Sequence, residues 1–233
     1  MNWKEIKVSE DQKYFLHHGE QLFDREFDEV LKFHAPGIAP VLDESGAYHI
    51  NVQGKAIYEQ RYSRTFGFYC SRAAVKSKNA WFHIDETGKR VYAESYVWVG
   101  NYQEDVCTVR SSDIGYFHID MNGNRMYTEN YRYAGDFKDE IACVKTTQGF
   151  QHIDKNGRPI NGKFYHDLGI FHKGFATAKD DQGWFHIDKQ GNELYTSRHL
   201  LIEPFYNGQA LVTKFDGTKV VVDDAGDVVL GLG

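Results

Sequence analysis

Short runs in which apolar and polar residues alternate, each closed by turn residues, cover most of the chain. Phe82 and Ile84 fall on one face of such a run and Trp81, His83 and Asp85 on the other; Phe117 with Ile119 and Phe185 with Ile187 repeat the arrangement. Period-two alternation in segments this short predicts strands rather than helices. Four run types recur, called here a (Ala73 to Lys76 and its equivalents), b (Trp81 to Asp85), c (Lys89 to Tyr92) and d (near Trp98). Both faces of b carry large rings, so both are expected to be covered.

The runs recur with a fixed period. Glycines at 19, 54, 88, 123, 157, 191 and 226 are spaced by 34 or 35 residues. Three residues before each stands Asn51, Asp85, Asp120, Asp154, Asp188 or Asp223, with Leu16 the exception. Four residues after come Phe23, Tyr58, Tyr92, Tyr127 and Tyr195, with Asn161 and Leu230 departing. A later column reads Phe33, Phe68, Tyr102, Phe137, Phe171 and Phe205. The D-x-x-G tetrads predict b–c hairpin turns, in which Asp bonds backbone N–H groups two and three residues on and Gly takes the positive φ.

These patterns predict an all-β protein of tandem β-meander repeats of about 34 residues, forming a single repeat domain over 1–233. Such a repeat cannot bury two faces by itself and must stack on its neighbours. A β-propeller-like toroid of six or seven small blades is favoured, because closure leaves few exposed edges; an open β-solenoid is the alternative.

Composition narrows the function classes. The chain has 233 residues, 27 Lys+Arg against 33 Asp+Glu, and a net charge of −6. Lys and Arg are scattered singly, which argues against a nucleic-acid partner. No apolar run is long enough to span a membrane as a helix, and the N-terminal residues lack the halves of a signal peptide. With three cysteines, a reducing cytoplasm is the expected setting.

The run Gly183-Trp184-Phe185-His186-Ile187-Asp188, closed by Gly191 and preceded by Phe175, Ala176 and Ala178, resembles the WG-type β-repeat. That family alternates a G-x-A-x-V strand with a W-G-[YF]-I-D-x-x-G hairpin. Here Phe82, Phe117 and Phe185 stand at the second glycine, and His replaces the following aromatic residue. The resemblance covers nearly the whole chain. It implies an all-β bacterial-type binding or interaction module, sometimes joined to a catalytic domain elsewhere, and it carries over no catalytic residues.

Candidate chemistry begins with H-x-D, at His83/Asp85, His118/Asp120, His152/Asp154 and His186/Asp188, with His49/Asn51 alongside. Two residues apart on a strand, imidazole and carboxylate share a face and could ligate a metal or form a general-base pair. Recurrence in every inner repeat points instead to construction, each His making a buried hydrogen bond to the adjacent repeat's backbone or a tyrosine. Cys107 and Cys143 occupy slots filled elsewhere by Ala and read as small core residues, while Cys70 is the one thiol expected at the surface. Trp98, set in a column with Leu31, Phe66, Tyr133, Asp167 and Leu201, reads as packing. No nucleotide, metalloprotease or hydrolase motif is present, and no metal or cofactor is expected.

Variation concentrates in the d–a loops: His34 to Gly37, Tyr69 to Arg72, Gln103 to Val106, Lys138 to Ile141, His172 to Phe175 and Tyr206 to Gln209. In a repeating array these emerge on one rim, the usual way in which a fixed frame makes a recognition face. His34, Tyr69, Arg72, His172 and Tyr206 are the candidate binding residues. The leading expectation is a non-catalytic scaffold binding a protein partner through this rim. A lectin-like module, suggested by the many Tyr and Trp, comes second, and an enzyme using a His/Asp cluster, or an accessory domain of one, third.

Overall fold

The computed structural model describes residues 1–232. Apart from one 3₁₀ turn, Trp3–Glu5, all regular structure among the described residues is β. The described residues form 22 strands in seven antiparallel sheets of three or four strands, with consecutive strands adjacent in every sheet. This is the all-β, propeller-like meander array that the spacing predicts. Among the described residues no helix is long and apolar enough to cross a membrane.

Contacts divide the chain into two compact units, one of residues 1–114 with 119–124, the other of 115–118 with 125–233. The first holds sheets 6–8/15–17/20–21, 29–30/38–43/46–51 and 64–69/72–77/80–84, together with strands Trp98–Val99 and Cys107–Ser111. The second holds sheets 133–134/142–145/150–153, 167–168/175–180/183–188 and 201–202/209–213/219–223/228–232.

In the inner repeats the sheet order is d–a–b. Strand a, in the middle, is buried on both faces: Ala73, Ala74 and Val75 are at most 1% exposed. Cys107 and Cys143 fill the equivalent buried positions, and burial pushes the Cys143 thiol up to about 12. Strand b contributes Ile84, Ile119, Ile153 and Ile187, all at 0%.

Segment c departs from expectation. Among the described residues only the first and last repeats form a c strand, at Glu20–Gln21 and Val228–Leu232. In the others the chain touches b twice, as at Ile84↔Arg90 and Trp81↔Tyr96, and bends between the two contacts. The bend turns Tyr92 inward, so that its phenol reaches His83 instead of extending a ladder. Strand propensity is overridden here by a buried side-chain bond.

The D-x-x-G turns form with a small difference. Asp85 Oδ1 accepts from the N–H groups of Thr87 (2.9 Å) and Lys89 (3.0 Å), two and four residues on, while the Gly88 N–H donates to the Asp85 carbonyl (2.9 Å). Asp120 and Asp188 make the same pair of bonds. These carboxylates are therefore committed to their turns.

Glycine at the fourth position has a second function. A Cβ on Gly88 would meet Tyr58 Cγ at 2.5 Å, and one on Gly123 would meet Tyr92 Cγ at 2.5 Å. The aromatic residue four after one anchor glycine packs directly against the next anchor glycine. The same joint recurs as Phe23 on Gly54, Tyr127 on Gly157 and Tyr195 on Gly226.

The histidines complete the joint. His83 Nε2 bonds the Gly100 carbonyl at 3.0 Å, and the equivalent bonds run from His118 to Gly135, His152 to Gly169 and His186 to Glu203, each at 2.8 Å. A carbonyl only accepts, so Nε2 carries the proton and Nδ1 is the acceptor. Tyr92 and Tyr195 hydroxyls donate to that Nδ1 on His83 and His186 at 2.5 Å, and Tyr58 and Tyr127 do so on His49 and His118. Each ring also faces the aromatic residue of the next sheet, His83 on Tyr102 at 4.8 Å and His186 on Phe205 at 4.1 Å. Burial pulls His49, His83, His118, His152 and His186 down to about 4.

Candidate functional site at the d–a rim

The d–a connections are tighter than loops. In Tyr69 to Arg72 the two central residues, Cys70 and Ser71, have φ of +48° and +56°, and Tyr69 pairs with Arg72. Glu104/Asp105 and Asp139/Glu140 repeat the double positive φ, with Gln103↔Val106 and Lys138↔Ile141 as bridges. Two-residue turns of this kind match strand twist but favour Asn-Gly. Replacing Cys70-Ser71 by Asn-Gly is expected to raise stability by about 1 kcal/mol, read as a higher midpoint in urea. An unchanged or lower midpoint would show that these residues are not strained.

Short turns fix the flanking side chains. In the first unit the rings of His34 and Tyr69 meet at 4.9 Å between centroids. His34 lies over Gly67, whose Cβ, if present, would meet His34 Cδ2 at 2.5 Å. Burial, with Lys32 nearby, lowers the His34 pKa. In the second unit His172 meets Tyr206 at 5.1 Å, and its Nδ1 lies 3.3 Å from Lys138 Nζ. Rim rings thus meet the ring of the equivalent residue of the next repeat at a tilt of 54° and 47°. Arg72 is half-buried, and its guanidinium donates to the Ser71 carbonyl at 3.0 Å. Tyr206 is 63% exposed. The structure therefore brings together His34 with Tyr69 and His172 with Tyr206, in separate units.

Beside His34 and Tyr69 opens a concavity of about 510 Å³, lined also by Val8, Gln12, Phe66, Gly67 and Asn101. These last five are not among the residues that the sequence picks out. Gly67 and Asn101 share a variable column with Lys32, Asp136, Ile170 and Pro204, a signal that could have found them. The column given for Trp98 also needs correction. The strand pairs Glu29, Arg64, Trp98, Tyr133, Asp167 and Leu201 with strand a, so Leu31 and Phe66 belong two places further on. Trp98 itself is 41% exposed, on the outside of its strand, and is not core packing. Cys70 is exposed as expected.

The H-x-D pairs do not act as pairs. Each Asp is spent on its turn, and His49, His83, His118 and His186 are at 0% exposure, held between a tyrosine and a carbonyl.

No family model matches the chain, and no curated protein matches it in sequence. Among solved structures it is similar to the computationally designed protein Ika8, with 14% identity, 97% of this chain and 83% of that one covered, and a TM-score of 0.54. It is also similar to Hsv2p of Kluyveromyces lactis, with 8% identity, coverage of 98% and 94%, and a TM-score of 0.50. A eukaryotic initiation factor shares 9% identity over 91% of this chain and 66% of its own, with a TM-score of 0.56. At such identities the likeness is one of fold.

Proposed function

We propose that the protein is a non-catalytic scaffold that binds a protein partner at the d–a rim. The observation that carries this reading is the concavity walled by His34, Tyr69 and Phe66, whose volume suits one inserted side chain or a short peptide segment. A tilted ring pair beside a mixed lining, with Lys32, Glu10 and Asn101 at hand, gives an anchor and polar selectivity. Arg72 would extend the contact in the first unit, and the His172–Tyr206 pair would offer a second contact in the other unit. The lectin-like reading loses much of its motive, since Tyr58, Tyr92, Tyr127 and Tyr195 are buried at repeat joints.

Further parts of the proposal are that the chain is a divergent WG-type repeat, that its repeats act as one closed domain, and that it works in a reducing compartment. Three free cysteines, two of them buried, fit the last point. A compact ring and an elongated array give different small-angle scattering, which decides closure.

The test of the binding reading is cross-linked capture from lysate by the wild-type chain and by a His34→Ala/Tyr69→Ala variant. Loss of a specific protein by about tenfold or more in the variant is expected. Equal capture by both would refute the rim as the site, and a glycan-array signal dependent on the same residues would favour the lectin-like reading.

A further inference from the structure

The first repeat breaks the pattern at its turn. Where the others read D-x-x-G, or Asn51-x-x-Gly54 in the second repeat, it reads Leu16-His17-His18-Gly19. The Asp that organises the longer turn is gone, and the hairpin closes with only two residues, His18 at φ +52° and Gly19 at φ +88°, between paired His17 and Glu20. Strand Ile6–Val8 lies alongside, with Ile6 opposite His17, which brings Glu5 from the 3₁₀ turn next to both imidazoles.

Glu5 Oε2 lies 3.6 Å from His17 Nε2 and 3.7 Å from His18 Nε2, and one donor atom from each of the three residues falls within 4.8 Å of the others. The two imidazole rings stand 4.1 Å apart. These distances are too long for hydrogen bonds. They are close to the edge of about 3.3 Å that bonds of ~2.0–2.1 Å give in a tetrahedron. His17 Nε2 is buried and has no hydrogen-bond partner, an orphan that a buried ring nitrogen rarely remains. Glu5 is held from the other side, where Asn2 Nδ2 donates to its Oε1 at 2.8 Å, leaving Oε2 for the imidazoles. Glu5 and His18 are exposed, and His17 between them is half-buried.

We propose that Glu5, His17 and His18 form a site for a divalent transition cation of the zinc class. Two imidazoles and one carboxylate are the donor set that Zn²⁺ takes in three-ligand sites, with a further position open to water or to a partner's side chain. Imidazole donors disfavour Mg²⁺ and Ca²⁺. The sequence alone predicts no metal, because its conspicuous ligand types are the repeated H-x-D pairs, whereas this cluster sits where the repeat fails.

The test is calorimetric titration of the full chain with ZnCl₂, with CoCl₂ absorption as a second readout. One equivalent of Zn²⁺ is expected, with tetrahedral-type visible bands for Co²⁺. His18→Asn keeps a residue suited to positive φ while removing the imidazole, so it folds, and about tenfold or greater loss of affinity is expected from it and from Glu5→Gln. Absence of stoichiometric binding, or binding unchanged in His18→Asn, overturns the proposal. Binding lost instead in His34→Ala would place the ion elsewhere and overturn it equally.

Discussion

Between pH 7 and pH 5 the protein is expected to lose most of its stability in one steep step. Five histidines titrate near 4 in the folded chain, against an ordinary value of 6.5, because burial disfavours their charged form. The unfolded chain therefore binds more protons at any pH between these values. Stability is full above 6.5, falls as the pH drops through that value, and levels off only near 4. At pH 5.5 each such group costs about 1.4 kcal/mol, or about 7 kcal/mol for the set, within the 5–15 kcal/mol that holds a typical domain together.

The carboxylates cannot mimic this window. Asp85, Asp120 and Asp188 are held below 3.8, so their own contribution is lost at still lower pH. Tryptophan fluorescence and circular dichroism followed from pH 7.5 to 4.5 read the transition. A flat signal over that range would show that the imidazoles gain protons without unfolding, and the neutral His–Tyr–carbonyl bridge would then be wrong. Tyr92→Phe leaves His83 Nδ1 buried without a donor and is expected to cost about 1–3 kcal/mol at pH 7.5.

What can be read from residues alone follows from what repeats. Period and strand type are legible because seven glycines and their aromatic companions recur almost without gaps, and one physical constraint applied many times leaves a visible column. The role of the histidines is legible for the same reason, down to the adjacent backbone and a tyrosine as partners. Segment c is not, because Lys89 to Tyr92 has strand composition, while the bend is imposed by a bond that only the folded sheet makes. Nor is the place of Trp98, because its d strand, like all but Arg64–Tyr69, is two residues long, too short for alternation to set the register.

The rim is visible as a variable region, but its geometry is hidden. Cys70-Ser71 and Glu104-Asp105 carry none of the Asn or Gly that announces a two-residue turn, so strain there has no signature in composition. His34 with Tyr69 cannot be paired from sequence, since they lie in different repeats and meet only through Gly67. His17 and His18 stand out as departures at a single turn; that Glu5 faces them depends on the Ile6↔His17 register.

Gly123→Ala is expected to be among the most damaging single substitutions, although it adds one methyl group at a turn. Two costs coincide. The residue has φ of +85°, which disfavours any side chain by about 1 kcal/mol, and its Cβ would lie 2.5–2.6 Å from three atoms of Tyr92. That ring cannot retreat easily, because its hydroxyl is bonded to His83 and its other edge meets Tyr96 at 6.0 Å between centroids. Relieving the clash means opening the joint, at about 1–3 kcal/mol more. Gly217 supplies the control, with φ of +87° and nothing within 4 Å of its would-be Cβ. Gly217→Ala should therefore show the conformational cost alone, and the difference between the two in urea denaturation measures the joint. Pairing Gly123→Ala with Tyr92→Leu closes a double-mutant cycle, in which Tyr92→Leu should cost less in the Gly123→Ala background than beside the native glycine. Equal losses for the two glycine variants would mean that these residues serve their turns only, and that neighbouring repeats are held by something other than a ring laid on a bare Cα.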